Sequence, residues 1–337
     1  AEEKVERMMT VNERFELQKK QLVATTLAKV CTSDLFDGQD FDAVVIDEAS
    51  MANLPYLIVL AAKARDHIVV VGDPMQLPPI ALTDEPESRT FLEKDIFTYA
   101  SKSETTEDLF SWHDYNRPLT TFFDTQYRLN KDLADVLSSV FYENRLNTID
   151  IDSEIEEHLS GVGRSDPTVH VIDTQKYGTF LTQKDEGRGF SPVNEVHLHI
   201  IGKMVQKLVM KNQVPVEEIG IIVPFRNTVY DIRQELFGSG FDNVEVGTIH
   251  TFQGREKQVI IFDTVMSGEI QYGSKRHYSV RPFDEEKNGL AVPRLLNVAL
   301  SRSKERLVIL ADMDHIQRVY HDKYLGRLLR QFQGQEG

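Results

Sequence analysis

Two short apolar runs, rich in β-branched residues, restrict what this chain can fold into. Phe41-Asp-Ala-Val-Val-Ile46 ends in Asp47-Glu48, and Ile68-Val-Val-Val71 ends in Gly72-Asp-Pro74. Continuous Val/Ile runs, in place of strict polar alternation, belong to strands covered on both faces. A helical stretch at 54–64 lies between them. Strand, helix, strand in this order predicts a parallel α/β sheet. A further short strand is expected at Val23-Ala-Thr-Thr-Leu27, preceded by a charged, helix-permissive segment without proline or glycine at 1–20.

The rhythm is interrupted and then resumes. Residues 82–120 are mixed and acidic, a boundary is expected near Asp124, and 131–142 reads as a helix. Residues 147–167 are acidic and carry Gly161, Gly163 and Pro167, which suits a surface excursion. Strands are expected at 168–172, 219–223, 244–248, 258–265 and 307–310, with helices at 194–211, 227–237 and 295–303. The polar stretch 266–293 is a long loop of the kind that often carries function. At 337 residues the chain has the length of two domains, expected at 1–124 and 125–337.

Charge limits the partners. Lys and Arg number 38 against 53 Asp and Glu, a formal net charge of −15. Bulk attraction to nucleic acid is excluded, so any such binding needs a local basic track. The least acidic stretch is 241–310, with ten Lys/Arg and nine Asp/Glu. Within it Lys275, Arg276 and Arg281, interleaved with Tyr272 and Tyr278, are candidate contacts to a single strand; a solvated charged loop is the plain alternative. The single cysteine, Cys31, excludes an internal disulfide, a zinc ribbon and an in-chain iron–sulfur cluster, and fits a reducing compartment. No apolar run is long enough to span a bilayer and no signal-peptide pattern opens the sequence, so no membrane partner is expected. The expected location is intracellular, in the cytoplasm, with the nucleus left open.

Hydrolytic chemistry is suggested where the strands end. Acids that follow a parallel strand stand at the carboxyl edge of its sheet, where ligands bind. Asp47 is suited to a water-coordinated Mg²⁺, because hard cations prefer carboxylate oxygen. Glu48, one residue on, points elsewhere and is suited to polarising a water. In Gly72-Asp-Pro-Met-Gln76-Leu-Pro-Pro79, Gly and Pro end the strand and leave Gln76 as a neutral amide for a phosphate oxygen or the attacking water. Each segment alone also fits an ordinary strand end or proline turn. Together, on successive strands, they favour nucleotide hydrolysis.

Asp-Glu-Ala-Ser50 followed by Gly-Asp-Pro-Met-Gln-Leu-Pro-Pro79 resembles motifs II and III of superfamily 1 helicases, in the group of the nonsense-mediated-decay RNA helicase and its DNA-helicase relatives. Four more stretches are similar and in the family's order: Asp124-Thr-Gln-Tyr-Arg128 to motif IV, Ile221-Ile-Val-Pro-Phe-Arg226 to the strand after it, Val246-Gly-Thr-Ile-His-Thr-Phe-Gln-Gly-Arg-Glu256 to motif V, and Leu296-Asn-Val-Ala-Leu-Ser-Arg302-Ser-Lys304 to motif VI. The resemblance runs from about Val23 to Ala311. It implies an α/β fold of two tandem RecA-like domains and an ATP-dependent motor moving 5′→3′ on single-stranded DNA or RNA, with ATP and Mg²⁺ as cofactors. Arg128 and Arg302 match arginines that reach the γ-phosphate, a role for which permanently charged, fork-shaped guanidiniums are suited. Glu256 is assigned by resemblance to the nucleotide ribose and Gly254 to the phosphates. Arg226 and Thr248 fall on the nucleic-acid side, as do Thr25 and Thr26, whose hydroxyls suit phosphate contacts that need no net charge. His250 fits either strand contact or a satisfied histidine at a strand end.

One element of the family is missing. No Gly-x-x-x-x-Gly-Lys-Ser/Thr occurs, and only 46 residues precede Asp47. That loop supplies the N–H cradle, the lysine and the Mg²⁺-binding hydroxyl. The first domain is therefore expected to be incomplete, with the phosphate loop supplied by a missing N-terminal segment or a partner chain, and residues 1–337 alone are expected to be inactive. A non-catalytic nucleic-acid-binding module, or a subunit that completes an ATP site on another chain, are the alternatives. No nuclease motif is evident.

Overall fold

The computed structural model describes residues 13–81, 83, 85–148, 168–185, 190–268 and 294–335. The chain forms two compact units, one of Ala1–Pro74 with Pro78–Lys102 and the other of Met75–Leu77 with Ser103–Gly337.

The first unit contains α1 (Glu13–Gln18), α2 (Leu27–Thr32), β1 (Phe41–Ile46), α3 (Leu54–Ala61), β2 (Ala64–Val70), α4 (Pro86–Leu92) and α5 (Ile96–Ser101). Strands β1 and β2 pair in parallel, Val44 with Ile68 and Ile46 with Val70. The connecting helix α3 starts where Asn53 Oδ1 accepts from Tyr56 N at 3.2 Å, with Pro55 in its first turn. Its apolar face, Leu54, Leu57 and Leu60, packs with Ile46, Ala49 and Ala52.

Two expectations fail in this unit. The segment 23–27 is not a strand: it is irregular until Leu27, and Thr26 Oγ1 accepts from Lys29 N to cap α2. The threonine hydroxyl that suits a strand also caps a helix, and here the cap prevails. Nor are β1 and β2 covered on both faces among the described residues. Val45 is 66% exposed, Ile68 43% and Val69 48%.

The second unit holds α6 (Thr106–Tyr115), β3 (Thr125–Gln126), α7 (Lys131–Phe141), β4 (Asn147–Thr148), β5 (Val169–Asp173), β6 (Thr182–Asp185), β7 (Phe190–Val193), α8 (Glu195–Met210), β8 (Ile219–Val223), α9 (Arg226–Leu236), β9 (Glu245–Thr248), β10 (Lys257–Asp263), α10 (Arg294–Leu300), β11 (Ser303–Ala311), α11 (Met313–Val319) and α12 (Tyr324–Gln335). Its main sheet runs β5-β11-β10-β8-β9 with every pairing parallel. Here the continuous apolar runs are buried as expected, β8 along its whole length. Ile219, Ile221 and Val223 pack with Ile201, Val205 and Leu208 of α8 and with Val229, Ile232 and Leu236 of α9. Each such buried side chain contributes about 1.5–3 kcal/mol through removal from water. Helix α12 packs on β5 and α7. Among the described residues no helix is long and apolar enough to cross a membrane.

Candidate nucleotide and nucleic-acid sites

Asp47 and Glu48 stand exposed immediately after β1, at the carboxyl end of the first unit's parallel pair. The chain turns sharply there. Glu48 has φ 52°, and Asp47 Oδ1 accepts from Glu48 N at 2.9 Å. The second expected segment lies directly against this turn, with Ala49 N donating to Val71 O at 2.9 Å. A Cβ on Gly72 would lie 2.9 Å from Ser50 N and 3.0 Å from Ala49 N, so only glycine permits this backbone-to-backbone approach. Ser50 Oγ, beside the acids, is buried and has no hydrogen-bond partner among the described residues. An exposed carboxylate with one oxygen held by a backbone N–H fits a Mg²⁺ that keeps most of its waters. Thr25 and Thr26 are exposed in the segment before α2, with Thr26 occupied as its cap.

Gln76 belongs with the second unit. Its neighbours Met75 and Leu77 are 1% and 3% exposed, and Asn297 of α10 donates Nδ2 to Met75 O at 3.0 Å and to Tyr142 Oη at 2.9 Å.

In the second unit the expected residues sort onto opposite edges of one sheet. Glu256 immediately precedes β10 and Arg302 immediately precedes β11, so both lie at the amino edge. Arg128 comes to the same place, its Nε 2.8 Å from Glu256 Oε2, while Lys304 Nζ is 2.6 Å from Glu256 Oε1. The Lys304 hydrogen bond is the largest cause holding the Glu256 carboxyl below its usual range, with Arg128 adding to it and burial opposing. Gly254, two residues earlier, has φ 72° and open space where a side chain would be, a backbone able to meet a phosphate closely. Arg302 is 2% exposed, and its Nε donates to Val298 O at 3.0 Å at the end of α10.

Thr248 is the last residue of β9, His250 follows two residues later, and Arg226 opens the helix after β8. These three lie at the carboxyl edge, with His250 and Arg226 exposed. Seven residues of β10 separate the edges, about 20 Å at the usual rise per residue. Lys275, Arg276 and Arg281, with Tyr272 and Tyr278, fall outside the described residues. A cavity of about 520 Å³ is lined by His113, Arg117, Phe122, Asp124 and Arg145 among others, and none of the expected site residues lines it.

A family model described as an AAA domain matches residues 105–314, and a second of the same description matches 1–84. The chain belongs to the superfamily 1B helicase family. The "Uncharacterized ATP-dependent helicase MJ0104" of Methanocaldococcus jannaschii is 26% identical over 311 residues, covering 89% of this chain and 40% of its own length. The DNA polymerase alpha-associated DNA helicase A of Saccharomyces cerevisiae is 29% identical over 302 residues, 85% of this chain and 40% of its own length. The ATP-dependent helicase NAM7 of the same yeast is 27% identical over 284 residues, 82% of this chain and 26% of its own length. The chain thus spans two-fifths or less of each of these relatives. Its α/β architecture is the RecA-like fold of superfamily 1B helicases.

Three supporting groups in this member of the superfamily 1B helicase family escape sequence reasoning. Gln126 shapes the turn that presents Arg128: its Oε1 accepts from Arg128 N at 2.8 Å and Leu129 N at 2.7 Å, and its Nε2 donates to Thr148 Oγ1 at 2.9 Å. Its place inside the quoted Asp-Thr-Gln-Tyr-Arg stretch is the one available signal. Asn297 sits likewise within a quoted motif. His197 has no such signal. It is fully buried, with Nδ1 2.6 Å from Asp263 Oδ1 and Nε2 2.8 Å from Thr174 Oγ1, and so ties α8 to the carboxyl edge of the sheet.

Proposed function

We propose that this chain is the motif II to VI part of an ATP-dependent helicase that moves along single-stranded DNA or RNA in the 5′→3′ sense, inside the cell. The observation that carries this reading is the division of the second unit's sheet. Glu256, Arg128 and Gly254 gather toward its amino edge, and Thr248, His250 and Arg226 at its carboxyl edge. One rigid sheet with ligand groups at both ends of its strands can couple two ligands. Bound ATP–Mg²⁺ supplies the phosphoanhydride that is cleaved. Asp47 holds the cation, Glu48 takes the proton of the attacking water and Gln76 orients that water. Arg128 and Arg302 offset the charge that develops on the phosphate oxygens. Arg302 must leave the Val298 carbonyl to do so. Glu256 accepts from the ribose, and Thr248, Arg226, Thr25 and Thr26 contact the strand backbone, with Lys275, Arg276 and Arg281 adding positive charge.

The phosphate loop comes from a further segment or chain, so residues 1–337 alone do not hydrolyse ATP; turnover by this chain that Glu48→Gln abolishes would refute that. In the full-length protein, strand-stimulated hydrolysis is expected and Glu48→Gln removes it. Glu256→Ala is expected to weaken nucleotide without weakening strand, and Thr248→Ala the reverse. Loss of both affinities in both variants would overturn the division of roles. A non-catalytic strand-binding module is the second reading, favoured by the burial of Arg302 on its own helix end. Strand binding without any hydrolysis in the full-length protein would select it.

A further inference from the structure

Glu256 is gripped from two sides by cations of different origin. Lys304 is fixed by the sheet: Lys257 pairs with Ser303 at the start of β10 and β11, and Lys257 N donates to Arg302 O at 3.0 Å. The residue before Lys257 and the residue after Ser303 are therefore neighbours for as long as the parallel ladder holds. Arg128 arrives from the turn between β3 and α7, shaped by Gln126. The Glu256 side chain is 37% exposed, that of Lys304 42% and that of Arg128 48%, so all three face solvent as well as one another.

The donor and acceptor count leaves capacity at both ends. A carboxylate accepts about four hydrogen bonds, and the two cations take one each. Arg128 reaches Glu256 Oε2 through Nε, and its guanidinium carries two further nitrogens with donors of their own. Two cations thus flank one anion at the amino edge, near the open backbone of Gly254, with Glu218 close enough to act on Lys304 as well.

We propose that Lys304 is a positioning residue of the nucleotide site, which fixes the Glu256 carboxylate so that its remaining lone pairs meet the ribose hydroxyls while Arg128, held on the other oxygen through Nε, keeps its Nη groups for the phosphates. This rests on the reading of Glu256 as the ribose acceptor. Glu256 then joins the sugar end of the nucleotide to the arginine at its phosphate end. The same hydrogen bond that lowers the Glu256 pKa raises that of Lys304, so the pair stays charged throughout the neutral range.

The test is equilibrium binding of ATP and of 2′,3′-dideoxy-ATP, which lacks both ribose hydroxyls, to the full-length protein and its Lys304→Met and Lys304→Arg variants. Lys304→Met is expected to weaken ATP about tenfold, the scale of one charge-assisted hydrogen bond, and dideoxy-ATP less than about twofold. Lys304→Arg is expected to restore most of the ATP affinity. An equal loss for both nucleotides overturns the proposal and makes Lys304 a plain positive charge near the phosphates. No loss for either also overturns it. If the wild-type protein binds neither nucleotide, the nucleotide site itself is wrong and the proposal falls with it. Lys304 is half exposed, and Lys304→Gln repeats the comparison should the methionine variant fold poorly.

Discussion

Asn297 Nδ2 donates to the Met75 carbonyl at 3.0 Å, across 222 residues of sequence. The bond anchors the residue before Gln76 to the helix that precedes Arg302. Asn297→Ala removes this bond and the one to Tyr142, at a cost of about 1–3 kcal/mol in stability. Met75 and Leu77 remain buried, so the fold survives while Gln76 loses its fixed placement. The expected result is a lower kcat for strand-stimulated hydrolysis in the full-length protein, with the ATP KM little changed. A fall in melting temperature with kcat intact would show that Asn297 only supports the fold.

The His197–Asp263 pair is the most deeply buried ionisable contact described, at 0% and 1% exposure. Asp263 Oδ1 also accepts from Val265 N at 2.7 Å, and Val265 has φ 63°, an unusual backbone for a β-branched residue. Removing one partner leaves the other buried with one hydrogen bond unmade, a loss of about 1–3 kcal/mol. Asp263→Ala and His197→Ala are each expected to lose about that much in urea denaturation, and the double variant much less than their sum. Additive losses would mean that the two side chains act independently.

The second unit was the more legible half, and the reason is burial. Ile219–Val223 is buried along its whole length and Lys257–Asp263 from Val259 onward, so their apolar runs report their surroundings faithfully. The same pattern misled at Val45, Ile68 and Val69, which stand exposed on a two-stranded sheet because no described residue covers them. The hairpin of β6 and β7 has no sequence signal, because Thr182–Asp185 has no apolar run to mark it. Helices α11 and α12 follow the last expected strand and fall outside the sequence expectations. The amphipathic spacing of Leu325, Leu328, Leu329 and Phe332, all buried, would have revealed α12. Asp47, Glu48 and Gln76 stand out in the sequence by type and spacing as candidates, but no spacing shows that Gln76 sits on a segment held by Asn297, since that bond depends on the tertiary fold.

Two windows of pH dependence are expected at the carboxyl end of β11. Burial lowers the pKa of His315, so the unfolded chain binds its proton more readily than the folded one. Stability from this group is full above about pH 6.5 and is lost as pH falls below it. Burial alone would raise Asp312, but hydrogen bonds from His315 N, Ser267 Oγ and Gly268 N outweigh it and lower its pKa. Its contribution is present above about pH 4 and disappears as pH falls further. Melting temperature against pH checks both: His315→Gln should flatten the upper window and Asp312→Asn the lower. A His315→Gln profile that still falls between pH 6.5 and 5 with the wild-type slope would remove the histidine from the account.

Gly72 offers a test of the acid-bearing turn that needs no nucleotide. Its α-carbon faces Ser50 N and Ala49 N so closely that a methyl group would stand 2.9 and 3.0 Å from them, and Phe97 Cε2 at 3.1 Å closes the third side. Two of these neighbours are backbone, which cannot swing aside as a flexible side chain can. Gly72→Ala must therefore move the turn or lengthen the Ala49 N to Val71 O bond, now 2.9 Å. Overpacking of this kind costs about 1–3 kcal/mol. Faster amide exchange at Ala49 is the expected signature, because that N–H is the donor displaced, together with weaker Mg²⁺-dependent hydrolysis in the full-length protein as Asp47 and Glu48 shift. Unchanged exchange at Ala49 in a folded Gly72→Ala variant would mean that the turn gives way without disturbing the acids, and that the glycine is not what holds the two segments in register.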